Sequence, residues 1–191
     1  MKFITKNFKT IGIIMAALIL VAMAMILYSL ITVEGSVGIS IIFSLIKCIA
    51  MVAGLYYCLK GFGKDNAKYF KTFFIMLLAF DAIITILDIY TMITAGAVAK
   101  MICPVILNLL TAVCVAIIAF GKDLGLKKSL IFILAGLVFE IVVFVLSIAM
   151  ATGLANIITC FGNMLIMVIA VMFVLAKYAD KEARGRKIYS T

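Results

Sequence analysis

The sequence predicts an all-α integral membrane protein built as a six-helix bundle. Of its 191 residues, 68% are hydrophobic and only 13% are charged, and the mean hydropathy is +1.36. The apolar residues fall into six runs of about 20, the length at which an α-helix crosses the hydrocarbon core of a bilayer. Six such spans leave no room for a separate soluble domain of ordinary size. We therefore treat residues 1–191 as a single transmembrane domain.

The apolar runs locate the spans approximately, and we number them span 1 to span 6. They cover residues 10–33, 38–60, 72–93, 98–121, 129–151 and 154–176, and a short basic tail follows at 177–191. Very short connections follow spans 1, 3 and 5, so each of these spans forms a tight hairpin with the next. A signal peptide is the alternative for span 1, but its apolar stretch exceeds the about 7–15 residues of a signal-peptide core. This length favours a retained helix.

The basic residues predict the orientation. Fifteen of the 17 lie before span 1, in the connections after spans 2 and 4, or after span 6. By the positive-inside rule, both termini are cytoplasmic. Topology and contact with anionic lipid head groups explain the net charge of +9 without a nucleic-acid partner. We expect a multi-pass protein of a cytoplasmic (inner) membrane, with the lipid bilayer as its partner; a homo-oligomer, or a cytoplasmic partner that binds the tail segment "KEARGRK", remains an alternative.

Spans 2, 4 and 6 contain segments that align without gaps. The segments are "KCIAMVAGLYYCLKG", "NLLTAVCVAIIAFGK" and "NMLIMVIAVMFVLAK", which begin at residues 47, 108 and 163. Val52, Val113 and Val168 coincide in the alignment. The pattern predicts three repeated helical hairpins, and parallel repeats are one way in which membrane transporters are built.

Polar residues near the middle of five spans form the predicted site. Lys47, Asn108 and Asn163 begin the three aligned segments, and Asp81 and Glu140 lie near the middle of spans 3 and 5. A charged side chain at the bilayer centre costs about 2.5–3.5 kcal/mol on insertion scales, so such residues usually mark function. Lys47 can neutralise one carboxylate, and a ligand cation, a proton or water must match the other.

Helical spacing extends the site toward the predicted outer face. Ser44 lies one turn from Lys47, and Asp88 lies two turns from Asp81. The cytoplasmic halves of spans 3, 5 and 6 carry no such groups. We therefore predict a polar cup, open to the outside and closed below by apolar side chains, that binds a small polar or charged solute or an ion. The candidate ligand-binding residues are Lys47, Asp81, Glu140, Asn108, Asn163, Asp88 and Ser44.

Each of these residues also has a structural interpretation. Asn108 and Asn163 can hydrogen-bond to neighbouring helices, as intramembrane amides commonly do. Asp88 can reach the outer interface or pair with Lys100. A bridge between Lys47 and a carboxylate can simply lock the bundle.

Enzyme chemistry is not expected. The chain has no histidine, which excludes histidine-based triads and HExxH zinc sites. Its five cysteines lie in apolar segments without a CxxC pair, so we interpret them as small buried hydrophobic residues rather than metal ligands or disulfides. No nucleophile–base pair can be assembled. We therefore name no catalytic residue, no metal site and no cofactor.

The hairpin "LLAFDAIITILDIYTMITAGAVAKMICPVILNLLTAVCVAIIAFGK", with acidic residues in an otherwise apolar first helix, resembles the HdeD-like small membrane proteins. That resemblance lies in the layout of six spans, hairpin repeats and cytoplasmic termini, and it implies a stress-associated inner-membrane protein of poorly defined activity. The size and span number are also similar to those of substrate-binding membrane subunits of vitamin uptake systems. The leading hypothesis is a small transporter or a substrate-binding transport subunit. The alternative is a non-transporting structural or stress-response protein whose polar residues lock the bundle.

Overall fold

Four long α-helices dominate the computed structural model of the chain. The described residues are 67–94, 98–121, 124–150 and 152–188, with isolated positions between 10 and 52. The helices are α1 (Ala67–Thr94), α2 (Val98–Phe120), α3 (Leu126–Ala149) and α4 (Leu154–Ile188). Within these described ranges there is no β-strand. The all-helical class expected from the sequence is therefore confirmed for the described part of the chain.

Each helix contains a stretch long and apolar enough to cross a membrane. The stretches are Lys71–Thr94, Ile102–Phe120, Leu126–Ala149 and Asn156–Leu175. They coincide with predicted spans 3 to 6 within a few residues, so by length and composition these four helices indicate a membrane protein. A shorter apolar helix covers Gly12–Met25, inside predicted span 1. Most of predicted span 2 lies outside the described residues, and the number of six spans and the threefold repeat stay predictions.

The connection between α3 and α4 is a compact turn. The backbone N–H of Met150 bonds to the carbonyl of Leu146, and the hydroxyl and N–H of Thr152 both bond to the carbonyl of Ser147. Gly153 follows with a φ of 99°, a conformation that is easy only for glycine. Because these bonds satisfy carbonyls left open at the end of α3, the chain can reverse within a few residues.

Consecutive helices pack against each other along the chain. α1 packs on α2, α2 on α3 and α3 on α4, whereas α1 and α4 touch over a short stretch. The helix α4 is the most buried of the four, since 56% of its membrane-crossing stretch is buried against 28% to 33% in the other three. Large apolar side chains on the outer faces, such as Ile86 and Val138, are exposed and suit contact with lipid.

The apolar core lies toward one end of the bundle. It includes Phe73, Phe74, Leu77, Val115, Ile118, Ala119, Ile133, Ile158, Ile166, Met167, Ile169, Ala170, Phe173 and Val174. Most of these residues lie near the start of α1, the end of α2 or the second half of the membrane-crossing stretch of α4, which is the predicted cytoplasmic half. Ala16, Met23, Leu45 and Val52 also pack against this core, so the N-terminal part of the chain contributes to the same bundle.

Candidate functional site

Two carboxyl side chains are buried among the helices. Asp81 on α1 and Glu140 on α3 are 8% and 5% exposed, so neither faces the lipid. Each takes part in further interactions within the protein. Because a carboxylate in hydrocarbon is costly unless protein or water surrounds it, an inward orientation is the arrangement that the sequence analysis required.

A hydrogen bond joins α1 to α2 through two of the predicted site residues. The amide Nδ2 of Asn108 donates to Oδ2 of Asp88 over 3.4 Å. Asp88 is half-buried and therefore faces its neighbouring helix rather than only the outer interface. The side chain of Lys100, its alternative partner, lies outside the described side chains. The bond places Asp88 and Asn108 at one level of the bundle.

The helices α3 and α4 contribute to the same region. The Cys160 thiol shares a hydrogen bond with Ser147 and lies close enough to Glu140 and Asp88 to interact with their charges. The Ser147 hydroxyl itself donates to the carbonyl of Phe144 over 2.7 Å. Cys160 thus places α4 beside Ser147 of α3, within range of the charges of Glu140 and Asp88. We call the set formed by Asp88, Asn108, Glu140, Ser147 and Cys160 the polar layer, which extends over about two helical turns because Ser147 lies seven residues, about 10.5 Å, after Glu140 on α3.

A second contact between helices fixes the level of Glu140. The Thr111 hydroxyl donates to the carbonyl of Gly136 over 3.5 Å, which sets α2 and α3 side by side at this point. Asn108 lies three residues before Thr111, and Glu140 lies four residues after Gly136. Since neighbouring helices run in opposite directions, both residues are displaced the same way, by about 4.5 Å and 6 Å at 1.5 Å per residue. Asn108 and Glu140 therefore lie at nearly the same height.

Asp81 lies deeper in the bundle than the polar layer. It precedes Asp88 by two helical turns, about 10.5 Å along the axis of α1, and one turn from it lies the fully buried Leu77 of the apolar core. The nearby Thr85 hydroxyl donates to the backbone carbonyl of Asp81 over 2.7 Å. Asp88 rather than Asp81 thus shares the level of Glu140, and Asp81 marks the boundary between polar and apolar halves.

The remaining predicted residues are distributed as follows. Asn163 lies on α4, half-buried, about one turn from Cys160 toward the apolar core, and makes further interactions of its own. Lys47 and Ser44 lie outside the described residues. Cys160 was not predicted as a site residue, because a cysteine in an apolar run is usually a small core residue. Its spacing of three residues from Asn163 was the available signal, since that spacing puts both on one helix face.

Close packing holds this region together. Gly136 is buried where α2, α3 and α4 meet, and a Cβ atom placed there would lie 2.8 Å from Cε of Met167 and 3.6 Å from Cγ2 of Thr111. Only glycine allows the helices to approach this closely without a shift of Met167. The helices α2, α3 and α4 are therefore tightly packed at Gly136, about one turn from Glu140 of the polar layer.

The site so defined belongs to a helical membrane protein. Comparisons of the chain with protein-family models, with curated proteins and with solved structures find no match. The layer combines carboxylate, amide, hydroxyl and thiol groups from four helices. Such a set can accept and donate hydrogen bonds to a small solute and can attract positive charge.

Proposed function

We propose that this protein is a small transporter, or the substrate-binding membrane subunit of a transport system, with an outward-facing polar cavity. In this proposal the chain crosses a cytoplasmic membrane six times as three hairpins, in the HdeD-like layout, with both termini in the cytoplasm. The observation that carries it is the polar layer, in which all four described helices contribute a polar side chain within about two helical turns of depth. Transporters commonly place their substrate sites near the middle of the bilayer, between helices.

The distribution of polar and apolar groups supports transport over a purely structural role. The polar layer lies toward the predicted outer end of the described helices, and the largest buried apolar side chains lie toward the predicted cytoplasmic end. A solute site open on one side needs this asymmetry, because the closed side must exclude water and ions. Helix locking by hydrogen bonds has no such requirement.

The charges of the site indicate a polar or positively charged solute or an ion. Asp81, Asp88 and Glu140 supply three carboxyl groups, and Lys47 is the basic residue that the sequence predicts at this depth. One lysine can neutralise one carboxylate, so the balance of the site favours a cationic group on the solute. The chemistry proposed is binding and translocation without a catalytic step, a cofactor or a metal.

A structural or stress-response role is the second candidate, and the bond between Asn108 and Asp88 favours it. A direct bond between two helices stabilises the bundle whether or not a solute binds. In that case the polar layer would hold the helices in register. The two candidate functions predict different effects of neutralising a carboxyl group: loss of ligand binding for transport, and loss of stability for the structural role.

The test measures ligand-dependent stability of the purified full-length protein. Thermal unfolding is followed with a panel graded by charge: Na⁺, K⁺, ethanolamine, glycine betaine and glucose. A bound solute at 100 times its Kd stabilises the protein by about 2.7 kcal/mol. Glu140→Gln and Asp81→Asn are compared with Asp180→Asn, which makes the same chemical change in the tail.

Transport predicts that at least one cationic probe stabilises the wild type and the Asp180 variant. The Glu140→Gln and Asp81→Asn variants should lose this stabilisation while unfolding near the wild-type temperature without ligand. Lower stability of these two variants without any ligand effect would support the structural role instead. Uptake of the stabilising probe into proteoliposomes then separates a transporter from a binding subunit.

A further inference from the structure

An aromatic stack joins α1 to α4 at the end of the bundle away from the polar layer. The rings of Phe73 and Phe173 lie 3.9 Å apart between centroids with an angle of 8° between their planes. Phe74 packs edge-on against Phe73, with centroids 5.2 Å apart and an angle of 82°. All three side chains are buried. The stack therefore fills the space between two helices that otherwise touch little.

The stack lies at the predicted cytoplasmic boundary of the membrane. Phe73 is two residues past the start of the membrane-crossing stretch of α1, and Phe173 is two residues before the end of that of α4. Along α1, Phe73 is about 12 Å from Asp81 and about 22 Å from Asp88 at 1.5 Å per residue. The rings therefore lie between the polar layer and the predicted cytoplasmic ends of these two membrane-crossing stretches.

Among the described helices, α1 and α4 share the smallest contact, so they can separate with the least loss of packing. The two helices touch over a short stretch, whereas α4 packs along α3. One turn beyond Phe173, the Tyr178 hydroxyl donates to the carbonyl of Leu124 and lies 3.3 Å from the hydroxyl of Ser129. These contacts attach the end of α4 to the connection between α2 and α3. Among the four described helices, the contact between α1 and α4 is thus the smallest.

We infer that Phe73 and Phe173 form the inner gate of this protein, the contact that closes the site toward the cytoplasm. The inference rests on the proposed function, since a gate has meaning only for a protein that moves a solute. Opening requires α1 and α4 to separate at the stack. The contacts of Tyr178 with Leu124 and Ser129, which we call the latch, would keep α4 on α3. Loss of both rings should leave the site accessible from the cytoplasmic side.

The test measures which side of the membrane reaches a thiol in the polar layer. The reporter is Asn108→Cys in a full-length chain whose five native cysteines are replaced by alanine or serine. A membrane-impermeant cationic methanethiosulfonate reagent is added to right-side-out and to inside-out vesicles. The gate variant is Phe73→Ala with Phe173→Ala. The matched control is Phe144→Ala with Phe161→Ala, since this other aromatic pair lies between α3 and α4 with centroids 5.6 Å apart.

When both rings are present, we expect the Asn108→Cys thiol to be labelled from the outside and not from the cytoplasmic side. In the gate variant, labelling from the cytoplasmic side should become faster by about tenfold, which corresponds to about 1.4 kcal/mol in the closing equilibrium. The control variant should stay closed on that side. Three results would each overturn the gate. They are labelling from the cytoplasmic side in the chain that keeps both rings, labelling of the control variant as fast as that of the gate variant, and an unchanged labelling rate in the gate variant.

Failure of the gate and failure of the transport proposal give different results. Outside labelling with an unresponsive gate variant removes the gate and leaves an outward-facing site. Cytoplasmic labelling in the gate variant without any outside labelling supports the gate and removes the outward-facing site. Should the double alanine variant not reach the membrane, the single variants Phe73→Ala and Phe173→Ala replace it, with the same Asn108→Cys reporter. Each should speed labelling from the cytoplasmic side relative to the chain with both rings, and no increase in either would refute the gate.

Discussion

The bond between Asn108 and Asp88 allows the structural and the ligand-binding roles of these residues to be measured separately. Its length of 3.4 Å exceeds the 2.7–3.2 Å of most N–H···O bonds. Side-chain hydrogen bonds between transmembrane helices average about 0.6 kcal/mol and reach about 1.7 kcal/mol. A long, half-buried bond belongs in the lower part of that range. We expect a coupling energy of about 0.5–1 kcal/mol between the two residues.

The measurement is a double-mutant cycle of Asn108→Ala and Asp88→Ala, with unfolding by SDS in mixed micelles as the readout. The exchanged pair, Asn108→Asp with Asp88→Asn, keeps one amide and one carboxyl group and should recover most of the coupling. Each side chain also lines the proposed site. In both single variants, the loss of ligand-dependent stabilisation should therefore exceed the coupling energy of the pair.

Two outcomes would refute this reasoning. A coupling energy near zero would mean that the helices do not meet through this bond. A coupling above about 2 kcal/mol, outside the range found for such bonds, together with unchanged ligand response, would assign the pair to locking the bundle. The matched comparison for nonspecific loss is Thr94→Ala, since this exposed hydroxyl donates to the carbonyl of Tyr90 on the same helix over 2.9 Å.

Three further predictions test the packing by the same unfolding assay. Gly136→Ala should be tolerated within about 1 kcal/mol, because the flexible end of Met167 can move aside, whereas Gly136→Val should cost about 1–3 kcal/mol by overpacking; equal stability of both variants would contradict the close approach of the helices. Leu77→Ala should cost about 2 kcal/mol, the lower end of the range for soluble cores, since lipid is as apolar as the core and mainly the cavity counts. Ile86→Ala on the exposed face is its control and should cost far less. Tyr178→Phe should cost about 0.5–1.5 kcal/mol for its lost hydrogen bonds, and an unchanged stability would remove the proposed latch.

The helices could be predicted because hydropathy acts residue by residue. Predicted span 4 at 98–121 and the observed α2 differ by one residue at most, and spans 3 and 5 differ from α1 and α3 by a few. The end of α4 differs more, since the helix continues to Ile188 past the predicted end at 176. Hydropathy marks where the membrane ends and not where the helix ends. Seven of the 15 tail residues are lysine, arginine or alanine, which favour helix in water.

The site could be predicted only in part. Mid-span position identified Asp81, Glu140 and Asn108 as buried or half-buried polar residues, which the structure shows them to be. Distance to the end of a span is a coarse measure of depth, so it grouped Asp81 with Glu140. The bond from Asn108 and the contact between Thr111 and Gly136 align Asp88 with Glu140 instead. Side-chain contacts between helices set this register, and no single helix contains that information.

The sequence by itself determined that the chain is a helical membrane protein, because apolar runs of this length have few stable places outside a bilayer. It also determined which spans carry carboxyl groups, since their cost in hydrocarbon makes each one visible. Only the tertiary structure decided which of these groups meet, that Cys160 joins them, and that Phe73 stacks on Phe173 between two helices with little other contact. Those relations depend on how the helices rotate and slide against one another, and packing between them sets both.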